Sequence, residues 1–392
     1  MTQHDAAAPR VFHPGIVHFA LAMGGFAIGT TEFATMSLVP FFSRDLHITA
    51  PMAGHVISAY ALGVVVGAPL IAVLSARMAR RTLLLWLMGV FAAANGLSGL
   101  APNYHMLLLF RFLSGLPHGA YFGIAMLVAA SLVPTGQRAQ AVGRVLLGLT
   151  VATTIGVPLA NFIGQAIGWR WGFGIVAILA VLTIALVATF APLQPASPDA
   201  NPLRELGALK RKHVWLTLAI GAVGFGGLFA VYTYLASTML AVTGVPASTV
   251  PIALAVFGIG LTAGNIVVPR FADRAIMPTA GLLLLWSAAM LALYVFAAHN
   301  FWTLLLDLFA IGLGGALATV LQTRLMDVAG DAQSLAASLN HSAFNTANAL
   351  GPWLGGMAIA AGYGWTSTGL VGCALALAGF VIWCAAYALD GR

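Results

Sequence analysis

The sequence predicts an all-α integral membrane protein with twelve transmembrane helices arranged as two six-helix pseudo-repeats. Three observations carry this. The chain of 392 residues is 60% hydrophobic and only 7% charged, whereas charged residues make up about a quarter of a soluble domain. It contains twelve apolar windows of about 20 residues, the length that crosses the hydrocarbon core. Its basic residues fall almost entirely in alternate connections between those windows.

The predicted spans are 15–40, 52–74, 83–101, 107–132, 143–166, 172–192, 215–238, 249–269, 278–298, 302–322, 334–361 and 365–388. The first apolar segment runs too long for a signal peptide and has no small-residue cleavage site before polar sequence, so it is expected to be a retained span. An even number of spans puts both termini on one side. Arg10, Arg77, Arg80, Arg81, Arg138, Arg144, Arg204, Lys210, Arg211, Lys212, Arg270, Arg274, Arg324 and Arg392 fall on that side, and only Arg44 and Arg170 on the other. The positive-inside rule then places both termini in the cytoplasm. The basic balance is a topology signal and not a nucleic-acid footprint, which would need Lys and Arg clustered on a soluble face.

The longest polar stretch, Ala191 to His213, divides the chain into a half over 1–192, a cytoplasmic linker over 193–213 and a second half over 214–392. Its Leu203 to Lys212 part reads equally as a surface amphipathic helix or as a solvated loop. The halves echo one another. Gly63 and Gly67 are followed ten residues on by Arg77, and Gly260 and Gly264 ten residues on by Arg274. Gly156, Pro158, Gly168 and Trp169 pair with Gly351, Pro352, Gly364 and Trp365 at nearly the same offset. Small residues four apart allow close helix contact. Six plus six repeats around a midplane site is a secondary-transporter architecture. Cys373 and Cys384 lie in one apolar segment, too far apart on a helix to bridge, and imply neither a disulfide framework nor a metal site.

Candidate site residues are the polar groups that these spans cannot hide cheaply. An ionisable side chain at the centre of a span costs about 2.5 to 3.5 kcal/mol and normally faces a cavity or a partner. Glu32 is such a group, in the small and apolar stretch GFAIGTTEFATMSLVPFF; the plain alternative is a Glu32 that touches water at the outer end. Asp307, near the outer end of span ten, is a second acid within reach of water and ranks below it. Arg111 lies about four residues inside the outer end of span four. It is always charged and needs water, an acid or carbonyls, so it either pairs with Glu32 or snorkels alone to the headgroups. His118 has a titration range suited to proton work. In span eleven His341, Asn345 and Asn348 share one helical face with Asn340 just off it, and span seven carries Tyr232 and Tyr234. These polar residues either line a substrate cavity or act as interhelical glue.

The motifs GTTEF at 29–33, FRFLSGLPHGAYFG at 110–123, GVPLANFIGQAIGWRWGF at 156–173, YTYL at 232–235, GN with FADR within 264–274 and FNTANALGPWLGG at 344–356 give a further reading. With them the chain resembles the major facilitator superfamily, and within it the bacterial drug and sugar efflux branch of proton antiporters, similar to arabinose-efflux-like permeases and chloramphenicol exporters. The resemblance implies the major facilitator fold and a place in the bacterial inner (plasma) membrane, and it puts helices one and four along the N-terminal cavity. It also links the span-four arginine, here Arg111, to proton translocation. Gly148, Gly156 and Pro158 resemble the antiporter motif, with Val157 as a departure; proline also bends a helix on physical grounds alone. The loop LSARMARR at 74–81 resembles the family's signature loop but has Ala76 and Ala79 where that loop has an acid and a glycine. Arg77, Arg80 and Arg81 remain as inside anchors, and Asp273 with Arg274 is the alternative source of a charge latch between the halves.

The expected function is secondary active export of a small organic solute (a drug, a sugar or a related metabolite) in exchange for protons, by alternating access. Proton-coupled uptake and a transporter-derived receptor or scaffold are the alternatives. Expected partners are a small-molecule substrate, protons and the lipid bilayer, with no nucleic acid, no cofactor and no metal; a monomer is one reading of an oligomeric state that the sequence leaves open. The sequence has no G-x-x-x-x-G-K-[ST] loop and only two lysines, Lys210 and Lys212, which argues against ATP as the energy source. It has no H-E-x-x-H and no G-x-S-x-G, so an enzyme is not expected.

Overall fold

The computed structural model describes residues 12–75, 78–134, 138–194, 209–272, 274–329 and 333–390. Arg77, Asp273 and the Leu203 to Ala208 part of the linker lie outside the described residues. Twelve long helices follow one another in the described residues. They are α1 (Pro14–Ser37), α2 (Ala50–Leu74), α3 (Arg80–Gly99), α4 (Tyr104–Ser131), α5 (Gly143–Ile167), α6 (Arg170–Phe190), α7 (Lys212–Thr243), α8 (Ala247–Ala272), α9 (Ile276–Ala297), α10 (Phe301–Ala329), α11 (Gln333–Ala358) and α12 (Ser367–Asp390). Eleven of them are long and apolar enough to span a membrane. The other, α11, is as long but carries Asn340, His341, Ser342, Asn345, Thr346 and Asn348.

Helix ends follow local chemistry. Proline opens α1 and α2, where its missing N–H costs nothing. Asn103 caps α4 by accepting from Met106 N at 3.0 Å, and Asn300 caps α10 by accepting from Trp302 N at 2.9 Å. Gly168 and Gly364 take φ of 112° and 79° between consecutive spans, a region that glycine enters without strain. Two differences from the predicted spans stand out. The first span stops at Ser37, and a separate short helix, Val39–Asp45, completes the connection to α2. Spans seven and ten run on to Thr243 and Ala329, because backbone hydrogen bonding continues after the apolar window ends.

Each half has the same internal frame. A Cβ on Gly63 would stand 2.2 Å from Phe112 O, and one on Gly260 would stand 2.2 Å from Phe309 O. Gly115 abuts Tyr60 O as Gly312 abuts Phe257 O. α2 thus presses on α4, and α8 on α10, through matched glycines at one constant offset along the chain. The outer surface is apolar, with Phe19, Trp86, Phe162, Phe296 and Val381 exposed, as suits helices that bond their own backbones and face lipid.

The halves meet along four lines. α2 meets α11 where Ser58 Oγ donates to Ala349 O at 2.9 Å. α5 meets α8 where Gly258 lies against Thr153 O, and Thr154 Oγ1 is 3.3 Å from Thr262 Oγ1. α1 meets α7 through Phe33, Phe229 and Tyr232, and α4 meets α11 through His118 and His341. At the end of the bundle away from the termini, Gln165 Nε2 donates to Ala247 O at 2.9 Å and Gly356 packs on Pro51. The halves are therefore closed against one another on that far side.

Candidate functional site

Glu32 sits about five residues, or about 8 Å, inside the far end of α1. It is 6% exposed and faces the second half: Asn348 Nδ2 of α11 donates to its Oε1 at 3.0 Å. The plain alternative of a water-touching Glu32 at the helix end is thereby overturned. Asn348 Oδ1, Asn345 Oδ1 and Tyr232 Oη are buried with no hydrogen-bond partner from the protein. Buried polar atoms are normally satisfied, so unpaired ones beside a carboxylate are capacity for a guest or for water. Aromatic rings enclose this region. Phe33 stacks on Phe229 at 6.1 Å and meets Tyr232 edge-on at 5.5 Å, and Tyr232 packs on Phe257 at 4.6 Å.

Arg111 is completely buried. It does not snorkel, and it forms no ion pair with Glu32. Its Nη1 donates to Thr31 Oγ1 at 3.1 Å and to Ser114 Oγ at 3.4 Å, while its Cζ lies 4.3 Å over the Tyr60 ring. Glu32 and Arg111 feel one another's charge without touching. The link between them is Thr31, the residue before Glu32, whose own hydroxyl donates to Asn95 Oδ1 at 2.6 Å. Tyr60 continues the network: its Oη shares a 2.9 Å hydrogen bond with His118 Nδ1, and the His118 ring lies 5.8 Å from that of His341. His341 also stacks on Phe122 at 5.2 Å. The buried Glu32, Arg111, His118 and Asn348 and the half-buried His341 thus belong to one polar layer that crosses from the first half to the second.

Other candidates have different places. Tyr234 Oη donates to Pro352 O at 2.9 Å and ties α7 to α11. Asn345 Nδ2 bonds its own helix at His341 O, and Asn340 Nδ2 turns to Gln322 Oε1 inside the second half. Asp307 is 3% exposed, so water does not reach it as the sequence suggested, and it stands apart from the Glu32 layer. Arg80 and Arg81 bond Gln194 Oε1 and Ala188 O at the end of α6. Among the described residues these bonds tie α3 to the α6 end within the first half, and neither side chain bonds the second half. Arg274 is exposed. Gly156 ends a π-helical turn, Ala152–Gly156, and with Pro158 puts a local irregularity in α5 where it crosses α8. Among the described residues no group of three or more His, Cys, Asp or Glu could hold a metal. A shallow cavity of about 360 Å³, lined by Val39, Ser43, Leu240 and Trp365, lies on the far side and includes none of the candidate residues.

Thr31, Tyr60, Asn95 and Ser114 are functional neighbours that sequence reasoning does not single out. Tyr60, Asn95 and Ser114 are single polar residues in apolar stretches and Thr31 adjoins Glu32, the same kind of signal that selects Glu32 in stronger form.

The sequence profile of the Major Facilitator Superfamily matches residues 21–293. The chain is 40% identical to the inner membrane transport protein YdhP of Escherichia coli strain K12, over 91% of this chain and 92% of that protein. It is 35% identical to a chloramphenicol resistance protein of Streptomyces lividans, over 85% of this chain and 86% of the relative. Its fold matches that of a bacterial homologue of the human lysosomal transporter Spinster, crystallised in an inward-facing, occupied conformation. The TM-score is 0.70 and the identity 17%, over 96% of this chain and 97% of that one. The profile match, the relatives and the twelve-helix bundle lead to one conclusion: the chain belongs to the major facilitator superfamily and is a multi-pass membrane transporter.

Proposed function

We propose that the protein exports a small organic solute in exchange for protons, with Glu32 as the group that carries the proton. One observation carries this reading. Glu32 is the carboxylate at the contact of the two halves, and it is hydrogen-bonded across that contact to Asn348 at 3.0 Å. An ionised carboxylate accepts such a bond about twice as strongly as a neutral group does. A proton on Glu32 weakens the tie between α1 and α11, and its departure restores it. Proton binding is thereby coupled to the movement of one half on the other. A substrate entering between the halves competes for the same carboxylate and for Asn348, Asn345 and Tyr232. Neutral or cationic solutes suit a site with this single acid, and the name of the chloramphenicol-resistance relative supports export of small drug-like molecules.

The membrane is the inner membrane, with both termini in the cytoplasm, so the closed far side faces the periplasm. A periplasm-active reporter fused after Lys212 stays silent, and one fused within 244–246 is active. The reverse pattern overturns this orientation.

Glu32→Gln keeps shape and most hydrogen bonding while fixing the neutral form. In proteoliposomes it abolishes transport driven by a proton gradient, while equilibrium binding of a neutral substrate survives. Wild-type transport with unchanged dependence on the gradient would exclude Glu32 as the coupling acid. Solute that moves with the protons, and so accumulates on the low-proton side, would identify uptake.

A further inference from the structure

The exchange cycle proposed above leaves one buried acid unused. Asp307 lies about two turns inside the far end of α10. Phe309, Gly312 and Leu313 set one face of this helix against α8. Asp307 lies on the opposite face, where α9 packs: Trp286 Nε1 donates to Ala310 O at 2.8 Å, and Gly314 meets Ser287 Oγ. Neither Asp307 Oδ1 nor Oδ2 has a hydrogen-bond partner, although the side chain is 3% exposed. Tyr294 Oη of α9 is also buried and makes no well-formed hydrogen bond. It lies within the electrostatic reach of Asp307 and beside Thr238 of α7. Thr238 Oγ1 spends its proton on Tyr234 O at 3.0 Å, which leaves it an acceptor. Three helices thus bring two carboxylate oxygens, a phenol and a hydroxyl into one region of the second half.

Among the described residues of the surrounding helices, no positive side chain answers this acid. The ionisable residue of α8 is Arg270, exposed at the termini-side end, and α9 carries only Tyr294. On α7, Tyr232 packs on Phe33 and Phe257, Tyr234 bonds Pro352 O, and Lys212 and His213 lie at the opposite end. On α12, Asp390 is held by Arg324 at the termini side. The contrast with Arg111, which is wrapped by hydroxyls and a ring, is direct. A buried carboxylate without a protein cation takes up a proton or a cation from solution, and the phenol and hydroxyl oxygens that α9 and α7 bring to this region suit a small, hard one.

We propose that Asp307, Tyr294 and Thr238 form a second cation seat, internal to the second half and separate from Glu32, that holds a proton or a sodium ion. One carboxylate balances one positive charge, which disfavours a divalent ion.

The test uses the purified full chain in detergent, in a Glu32→Gln background, with and without Asp307→Asn. Thermal unfolding is followed at fixed ionic strength with sodium replaced by choline, and across pH without sodium. A sodium seat shows as a saturable rise in the Glu32→Gln midpoint with sodium that Asp307→Asn removes. A proton seat shows as a midpoint that falls with rising pH, and falls less in the double variant, with no effect of sodium. Identical responses of the two proteins to sodium and to pH overturn the proposal. Should Asp307→Asn fail to fold, Tyr294→Phe carries the test. It is expected to raise the half-saturating sodium concentration by about tenfold, the loss expected for one bond to a charged group, or to shift the pH-dependent fall along the pH axis. An unchanged response again overturns the proposal. Because nothing is transported and Glu32 is already neutral, the result is independent of whether Glu32 carries the exchanged proton.

Discussion

The two halves share a backbone frame and differ in what they hang on it. Gly63 against Phe112 O in the first half repeats as Gly260 against Phe309 O in the second. The side chains at matching seats diverge. Tyr60, Arg111 and Ser114, which build the charged layer of the first half, correspond to Phe257, Leu308 and Ile311, which are core residues of the second. Close helix contact tolerates almost no change at the glycines, whereas a cavity-facing seat accepts any residue whose polarity is answered nearby. The repeat therefore preserves packing and lets the first half hold Arg111 and Glu32 in the layer between the halves while the second supplies the neutral amide, Asn348, that reaches across.

The largest effect expected of breaking this contrast comes from Arg111→Leu, which gives the first half the residue that the second half has. The change removes charge-assisted hydrogen bonds of about 1.5 to 3 kcal/mol and a cation–π contact of about 2 kcal/mol. Transport in proteoliposomes is expected to fall by about a hundredfold or more, with the protein still inserted. Arg111→Lys is expected to recover little, since an ammonium does not reproduce the planar fork over Tyr60. Transport near the wild-type rate in Arg111→Leu would mean that the difference between the halves has no functional weight.

Next in size is a test of what the halves share. Gly63→Val and Gly260→Val each force a side chain into a carbonyl that would stand 2.2 Å from its Cβ. Overpacking of this kind costs about 1 to 3 kcal/mol. Both variants are expected to unfold in detergent at lower temperature than wild type, by similar amounts because the contacts match. A penalty confined to one variant would show that the two crossings are not equivalent mechanically.

How much of this is legible in the sequence depends on the range of each interaction. The spans, the repeat and Glu32 can be read because apolar length, glycine spacing and an isolated charge are local signals. The partner of Glu32 cannot be assigned, since Asn348 lies in another half and spacing rules reach only neighbouring turns. For Arg111 the sequence leaves open an ion pair with Glu32 or an escape to the surface. The actual solution, Thr31, Ser114 and the Tyr60 ring, needs the rotation of three helices about their axes. Asp307 reads as a residue that water reaches because its distance from the helix end is short; its burial follows from facing α9. Ala76 signals that the loop lacks the usual acid, but the use of Arg80 and Arg81 on α6 has no sequence signal.

A smaller effect is expected of Tyr60→Phe. The ring under Arg111 stays and only the 2.9 Å bond to His118 Nδ1 goes, which costs about 1 kcal/mol. Unfolding should shift by a few degrees and transport should fall far less than in Arg111→Leu. A loss as large as that of Arg111→Leu would move the weight of the layer from the charge to the Tyr60–His118 bond.

The smallest effect concerns a connection that the halves build alike and then decorate differently. Gly168 and Gly364 both take positive φ ahead of a tryptophan, but Arg170 follows in the first half and Thr366 in the second. Arg170 pairs with Asp45, and Trp169 Nε1 donates to Asp45 Oδ2 at 3.0 Å. The Arg170 hydrogen bond, and after it that of Trp169, holds the Asp45 carboxyl below the usual carboxylate range. A carboxyl lowered in the folded state contributes stability above its unfolded value of about 3.9, and loses it as pH falls through the folded value. Both side chains are well exposed, at 40% for Arg170 and 47% for Asp45, so solvent screening leaves about 0.2 to 1 kcal/mol. Asp45→Asn is accordingly expected to lower the unfolding midpoint by a degree or two at neutral pH and low salt, with transport unchanged. That deficit should shrink in about 1 M salt, where the Debye length is about 3 Å, and fade as pH falls below the ordinary carboxylate range and the wild-type carboxyl itself takes up its proton. A deficit that persists at low pH and high salt would assign the stability to the Trp169 hydrogen bond and its packing, and the charge pair that distinguishes this turn from its counterpart would then contribute nothing measurable.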